Sequence, residues 1–439
     1  MDTDYLIIGA GAMGLAFADS LNTERPNSKI IIVDKRSQAG GHWVDDYRFV
    51  TLHQPAAFYG VGGLRLGNGK EDLSSHAELV NYFDAVKKKL QETGKVKFFF
   101  MSKYGKDGLI KSVYRPNDAL NVKVQKKVVN AAYMKVTTPS THTPNFKIDE
   151  DINLSPINYL SDLKRGFARY CIIGGGKTAI DAIIFLIKMG VAYKNIKWII
   201  PNDMWLWRRD VVQVGLVADE FVKFLTVIKN SSETNEIFLK LEKEGSLLRL
   251  DRTILPQKWR CATVSIEEFN LLQQVTDIVR MGRLEHITSN SIKLQKGEIN
   301  SEPDTLFVDC TANGLASRQT MPIFSPSKIN LQSVLMCQQT FSAALLGKIE
   351  SLNITEEEKN RILTPVPHPE RAEDMPEILV KSMENIIMAI KKAPIWMRKN
   401  RLSIGAHISL VNLCYNILRI SVLIPKAKQA LLAIDASKK

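Results

Sequence analysis

The 439 residues exceed one small domain and, at about 150 residues per domain, allow two or three. Apolar residues at 45% and charged residues at 24% exclude a disordered or fibrous chain. The net charge of +13 would suit nucleic acid or an anionic surface, but residues 391–439 alone carry ten basic residues against one acid, Asp435. The rest of the chain is close to neutral and lacks nucleic-acid-binding motifs, so no nucleic-acid partner is expected. Five widely spaced cysteines give no readable disulfide framework and no metal site. That usage, with acids rather than bases at the start of the chain, points to a reducing cytoplasm and no export signal.

The first element is a short apolar run, Tyr5 to Ile8, read as a buried parallel strand. It runs into Gly9, Gly11 and Gly14 in GxGxxG spacing, then into an apolar helix. Glycines there allow a tight turn, close backbone approach to a pyrophosphate and tight helix–strand packing, while the helix N-terminus offers free N–H groups. A second strand, Ile30 to Val33, ends at Asp34, twenty residues beyond Gly14, where a carboxylate can grip ribose hydroxyls. Lys35 follows it, and then Gly40, Gly41, His42 and Trp43.

The loop from Tyr47 to Gly60 is polar and aromatic and makes a candidate cofactor wall, with His53 and Gln54 as candidate catalytic residues that can hydrogen-bond a ring system. Ser75 and Glu78 form a capping box before a helix that stops at Gly94. Strands are expected around 97–101 and, on alternation, over 120–129, which includes Val128. The stretch around His142, with Pro139 and Pro144, reads as a hinge.

A second strand, turn and helix unit then opens: Arg169 to Ile173, Gly174, Gly176, Lys177, Thr178 and Ala179. A further strand, Ile196 to Ile200, completes a βαβ unit. The two turns are 165 residues apart, so two dinucleotides are implied. Asp203 would favour a free ribose, whereas Lys177, Arg208 or Arg209 would neutralise a 2′-phosphate. Residues 217–280 look helical and suit a pocket cover. The tail has a stiff connector at Pro365 to Pro369 and an apolar helix from Ile404 to a stop at Pro425. Its polar stripe is Gly405, Ser409, Asn412, Asn416 and Arg419. Docking onto the core or a second copy, lying on a membrane surface and spanning one are its three readings.

With both turns in place, the chain resembles two-dinucleotide-binding flavoproteins, and among them the flavin-containing monooxygenases. The resemblance rests on both glycine turns, on Gly40-Gly41-His42-Trp43, similar to a GG-x-W segment along the flavin, and on Leu306 to Gly314, similar to the late strand returning to the FAD domain. It implies an α/β fold with two Rossmann-like domains, the NAD(P) domain inserted in the FAD domain, plus a helical C-terminal region. The expected ranges are 1–165 and 301–350 for FAD, 166–300 for NAD(P) and 351–439 for the basic tail. FAD would contact Gly9, Gly11, Gly14, Asp34, Lys35, Gly41, His42, Trp43, Val128, Asp309 and Gly314. NAD(P)H, with NADPH favoured by resemblance, would contact Gly174, Gly176, Lys177, Thr178, Ala179 and Arg208.

The implied activity is oxidation of a small organic substrate by an FAD-dependent NAD(P)H oxidoreductase. The chain departs from the monooxygenase pattern before the second turn: if Tyr159 is the fingerprint's anchor, Ser155 stands where a histidine is usual. Asp34 also replaces the usual glutamate. A flavin dehydrogenase or reductase without oxygen insertion, and a low-turnover membrane-associated nucleotide sensor, stay open as alternatives.

Overall fold

The computed structural model describes residues 1–115, 117–315 and 318–437. Lys438 and Lys439, two of the ten basic tail residues, lie outside them. The chain opens with β1 (Asp2–Ile8), α1 (Ala12–Glu24) and β2 (Ile30–Val33), followed by a long loop, α2 (His76–Glu92) and β3 (Val96–Phe99). The expected capping box starts α2, with Ser75 and Glu78 satisfying each other's backbone N–H groups. A small antiparallel meander follows, β4 (Ser102–Tyr104), β5 (Leu109–Ser112) and β6 (Ala119–Asn121), and then β7 (Lys123–Asn130).

The next segment builds a second unit. It contains β8 (Lys147–Ile148), β9 (Leu154–Pro156), β10 (Arg169–Ile173), α3 (Lys177–Lys188), β11 (Ile196–Ile199) and β12 (Met204–Arg208). Next come α4 (Val217–Lys229), α5 (Thr234–Lys243), β13 (Leu247–Leu248), β14 (Lys258–Val264), α6 (Ile266–Leu272) and β15 (Ile278–Val279). A second meander, β16 (Leu284–Ile287), β17 (Ser291–Leu294) and β18 (Gly297–Asn300), leads to β19 (Thr305–Asp309). The chain then returns through β20 (Lys328–Asn330) and α7 (Gln339–Glu350). It ends in α8 (Glu356–Ile362), α9 (Met375–Lys392), α10 (Pro394–Lys399) and α11 (Leu410–Ser437).

Two parallel five-stranded sheets carry the architecture, in the orders β20-β7-β1-β2-β3 and β15-β11-β10-β19-β9. Each places its first Rossmann strand at the centre, so the strand order runs outward in opposite directions on either side of β1 and of β10. The crevice at such a switch point is where dinucleotides bind. In the first unit α1 packs on α7, and Gly347 permits the approach: a Cβ there would lie 2.8 Å from the Phe17 carbonyl oxygen. Behind α7, Glu350 takes ion pairs from Lys127 and Lys359 at 3.0 and 2.8 Å, all three side chains buried.

Several expectations change. The strand Leu306 to Asp309 belongs to the second sheet, where it pairs with β10; the first sheet is regained only at β20. The 217–280 segment is only partly helical, because β13 and β14 flank β12 in a three-stranded sheet. Trp205, Trp207 and Trp259 pack there as core with Phe221, Phe224 and Phe238. Helix α11 runs through Pro425 instead of stopping at it. The helix tolerates the lost hydrogen bond because it is packed along α4 and α9. The tail helix therefore docks onto its own chain, while Val411, Tyr415, Leu418 and Val422 face outward. Among the described residues no helix is long and apolar enough to cross a membrane.

Candidate functional site

The first glycine turn is built by contact distances that leave no room for side chains. A Cβ on Gly14 would sit 2.0 Å from the Gly9 carbonyl oxygen, and one on Gly41 would sit 2.7 Å from the Cα of Gly11. The Gly40-Gly41 corner thus lies against the turn, and the Gly40 N–H donates to the Ala10 carbonyl. Asp34 is buried; its Oδ2 accepts from the Ala10 N–H at 2.7 Å and its Oδ1 from the Arg36 N–H at 2.8 Å. Being one methylene shorter than glutamate, it clamps the turn, and each oxygen retains a lone pair for a ribose hydroxyl. Lys35 beside it is exposed. Trp43 is buried and donates to the Tyr59 hydroxyl at 2.7 Å, with His42 against its ring. Burial and the nearby Arg36 bring the His42 pKa down to about 4.

The second turn has the same form with different support. The Trp198 indole donates to the Gly174 carbonyl at 2.7 Å, and a Cβ on Gly174 would meet the Cys310 carbonyl oxygen at 2.7 Å. Ala179 is fully buried, whereas a Cβ on Gly176, the N-cap of α3, would meet open space. The first-turn N–H groups of α3, Thr178 among them, face that opening.

The charged residues expected to discriminate the nicotinamide cofactor are largely occupied. Asp203 is held by Arg280 through hydrogen bonds of 2.9 and 3.1 Å, and Lys177 pairs with Asp181 one helical turn on. Arg209 is buried against Glu268 at 2.6 Å, and Arg208 pairs with Asp210. Arg208 keeps its Nε without a partner.

Three further residues were expected at the flavin. Val128 is an interior strand residue whose neighbours are Leu6 and Lys328, and its N–H donates to Ser327. Asp309 ends β19 in the second sheet and accepts from the Thr311 N–H and hydroxyl at 2.9 and 2.6 Å. Gly314 is exposed, with nothing within 4 Å of an added Cβ.

His53 and Gln54 sit where the two units meet. Thr263 of β14 donates to the His53 carbonyl, and its hydroxyl is 3.2 Å from the imidazole Nδ1. Arg209 donates to the same carbonyl at 3.3 Å. The Gln338 side-chain amide, at the start of α7, donates to the side-chain Oε1 of Gln54 at 2.7 Å. Burial, with the positive charges of Lys177 and Arg209, brings the His53 pKa down to about 3. The imidazole is therefore neutral.

Nearby, the Tyr47 hydroxyl donates to Asp181 of α3 at 2.6 Å. Burial, reinforced by the carboxylates of Asp181 and Asp45, lifts Asp46 to about 7. Cys261 of β14 and Cys337 are joined in a disulfide with Cα atoms 6.4 Å apart, a pairing that the wide spacing of the cysteines did not reveal. Sequence reasoning missed Asp46, Thr263, Asp181 and this disulfide, because each acquires its partner from the other unit. No cluster of metal ligands occurs among the described residues.

Two Rossmann-like units, each with a glycine turn at its switch point, define a two-dinucleotide-binding protein. The chain belongs to the pyridine nucleotide-disulphide oxidoreductase family, whose profile matches residues 6–240. An uncharacterized protein of Mycobacterium tuberculosis is 34% identical over 426 residues, covering 93% of this chain and 79% of the relative. Among solved structures, a flavin monooxygenase variant from Stenotrophomonas maltophilia shares the fold, with a TM-score of 0.51 at 14% identity over 81% of this chain and 99% of its own. A steroid monooxygenase bound to NADP aligns with a TM-score of 0.53 at 11% identity, over 80% of this chain and 85% of that one.

Proposed function

We propose that the chain is an FAD-dependent NAD(P)H oxidoreductase that oxidises a small organic substrate, with FAD on the Gly9 to Gly14 turn and NAD(P)H on the Gly174 to Ala179 turn. The observation that carries this reading is the paired, side-chain-free turns at the switch points of two parallel sheets, joined at His53 and Gln54. NADPH is favoured because the fold-related steroid monooxygenase is bound to NADP. The cofactor pair supplies hydride transfer.

The chain's own residues supply position and proton control. The Gly9–Gly14 and Gly174–Ala179 turns bind pyrophosphates through backbone N–H groups and helix N-termini. Neutral His53 and Gln54 orient the ring system by hydrogen bonds. Asp46 is the group able to hold a proton at its carboxyl near neutral pH. Oxygen insertion is the preferred chemistry on fold likeness. A reductase without oxygen insertion is the second reading, favoured by Ser155: it is buried, and its hydroxyl donates to the neighbouring Pro156 carbonyl, so no imidazole serves that position.

The deciding experiment is an absorbance spectrum of the purified protein followed by anaerobic addition of NADH or NADPH. A flavin spectrum bleached faster by NADPH supports the assignment, and substrate-dependent oxygen uptake with an oxygenated product separates the two chemistries. Failure to retain FAD after reconstitution overturns the reading.

A further inference from the structure

Both faces of α11 are apolar, but only one of them is covered. On the inner face Asn416, Ile420, Ile424, Ala427 and Ile434 are buried, and the helix packs along α4 and α9. The opposite face carries Val411, Tyr415, Leu418 and Val422, which recur four, three and four residues apart and so line up along one side at about 3.6 residues per turn. Each of the four is more than half exposed, Val411 at 78%. Single exposed apolar residues are ordinary, whereas a continuous row of large ones marks a contact surface.

Charge decides the partner. Residues 391–434 hold eight basic residues and no acid. On α11 the Arg419 guanidinium lies over the Tyr415 ring at 5.2 Å, beside the apolar row, and exposed Lys426 falls on the same side two turns on. Lys428, on the other side, pairs with Glu384 of α9 at 2.8 Å. A second copy of the chain would bring the same bases and no acid to meet them, so like charges would face each other across a symmetric contact. An anionic bilayer answers both features, since apolar side chains enter the boundary between headgroups and acyl chains while bases reach the lipid phosphates. Tyr415 suits that depth, with a ring for the apolar layer and a hydroxyl for water. Because α4 and α9 hold the inner face, the helix meets such a surface lying along it. We propose that the outward face of α11 docks the protein on an anionic lipid bilayer, with Val411, Tyr415, Leu418 and Val422 entering the interface and Arg419 and Lys426 meeting the headgroups. The surface stands on its own geometry and does not depend on the cofactor assignment.

The test is co-sedimentation of the full chain with vesicles of phosphatidylcholine alone or mixed equally with phosphatidylserine. Binding to the mixed vesicles is expected to be at least about tenfold tighter, each base near the surface being worth roughly fivefold, and to weaken at high salt. Leu418→Gln with Val422→Gln should abolish binding to both vesicles, and Arg419→Gln with Lys426→Gln should cut the preference for the anionic one about tenfold. All four side chains are exposed, so the fold is expected to stand. Cys414, the exposed free thiol of the same helix, gives a readout without substitution: an environment-sensitive fluorophore on it should shift its emission to the blue when mixed vesicles are added. The proposal is overturned if the chain stays in the supernatant with mixed vesicles, or if the folded Leu418 and Val422 variant sediments as the wild type does. It is also overturned if the free protein is a dimer that this variant dissociates, which would assign the face to a second copy.

Discussion

Thr263 and His53 hold one another across the junction of the two units, the threonine hydroxyl donating to the histidine carbonyl while lying 3.2 Å from its ring nitrogen. Thr263→Val keeps the shape and removes both contacts. It should cost ~1–3 kcal/mol of stability, because the His53 carbonyl loses a donor. FAD affinity should be unchanged, and the rate of flavin reduction should fall about tenfold as the loop loses its position. Stopped-flow reduction together with a denaturant titration checks this; an unaltered rate would mean that Thr263 does not set the loop.

Acid sensitivity follows from the buried histidines. The folded values of His53, His42 and His368 are brought down to about 3, 4 and 4, mainly by burial, from 6.5 when unfolded. Between those limits the unfolded chain binds more protons, so stability is full above pH ~6.5 and falls as the pH drops. Urea midpoints at pH 7.5, 6 and 5 should decline in that order. His53→Gln should flatten the decline, and an unchanged slope would count against a neutral buried His53.

Asp46 acts in the opposite sense. Its folded value is raised to about 7 from 3.8, so the unfolded chain holds fewer protons between those limits and stability is lost as the pH rises through them. Asp46→Asn should therefore stabilise the protein at pH 8 and steepen the acid decline. The pH profile of turnover should also lose its inflection near 7. A retained inflection would place the titrating proton elsewhere.

Glu350 neutralises two buried lysines, Lys127 and Lys359. Glu356 also pairs with both lysines, at 2.6 and 3.1 Å, so Glu350→Gln leaves two cations on one carboxylate and should destabilise the fold by ~1–3 kcal/mol. The triple change Glu350→Leu, Lys127→Met and Lys359→Met should recover most of the loss. Chemical denaturation of the two variants compares them directly.

The Cys261–Cys337 disulfide closes a 76-residue separation. Cys337→Ser should lower stability by ~2–4 kcal/mol. Added dithiothreitol should lower the melting temperature of the wild type and leave the variant unaffected. Intact-mass measurement without reductant should show the wild type two hydrogens lighter than its reduced form.

Both glycine turns, Asp34 and the Ser75 capping box are legible in the sequence because their chemistry is local: a tight turn, a helix start and one carboxylate at fixed spacing. Sheet membership is not local. Leu306 to Asp309 reads as an apolar strand, but nothing in those residues says whether β10 or β7 will be its neighbour. The strand β14 was hidden among helical patterns for a similar reason, since its partner β12 lies about fifty residues earlier. Pro425 read as a stop because an isolated helix would end there, whereas packing on α4 and α9 overrides the local cost. Thr263, Asp181 and the cysteine pair carried no signal, because their roles arise only when the two units meet.

That meeting is fastened at several independent points: Thr263 and Arg209 to His53, Tyr47 to Asp181, and Cys261 to Cys337. A swivel of the second unit about the first would have to break hydrogen bonds, withdraw a buried guanidinium and cleave a covalent link together. Under the proposed activity, turnover would proceed on a fixed frame, with cofactor and product passing through local shifts of side chains and loops while the two sheets keep their relative orientation.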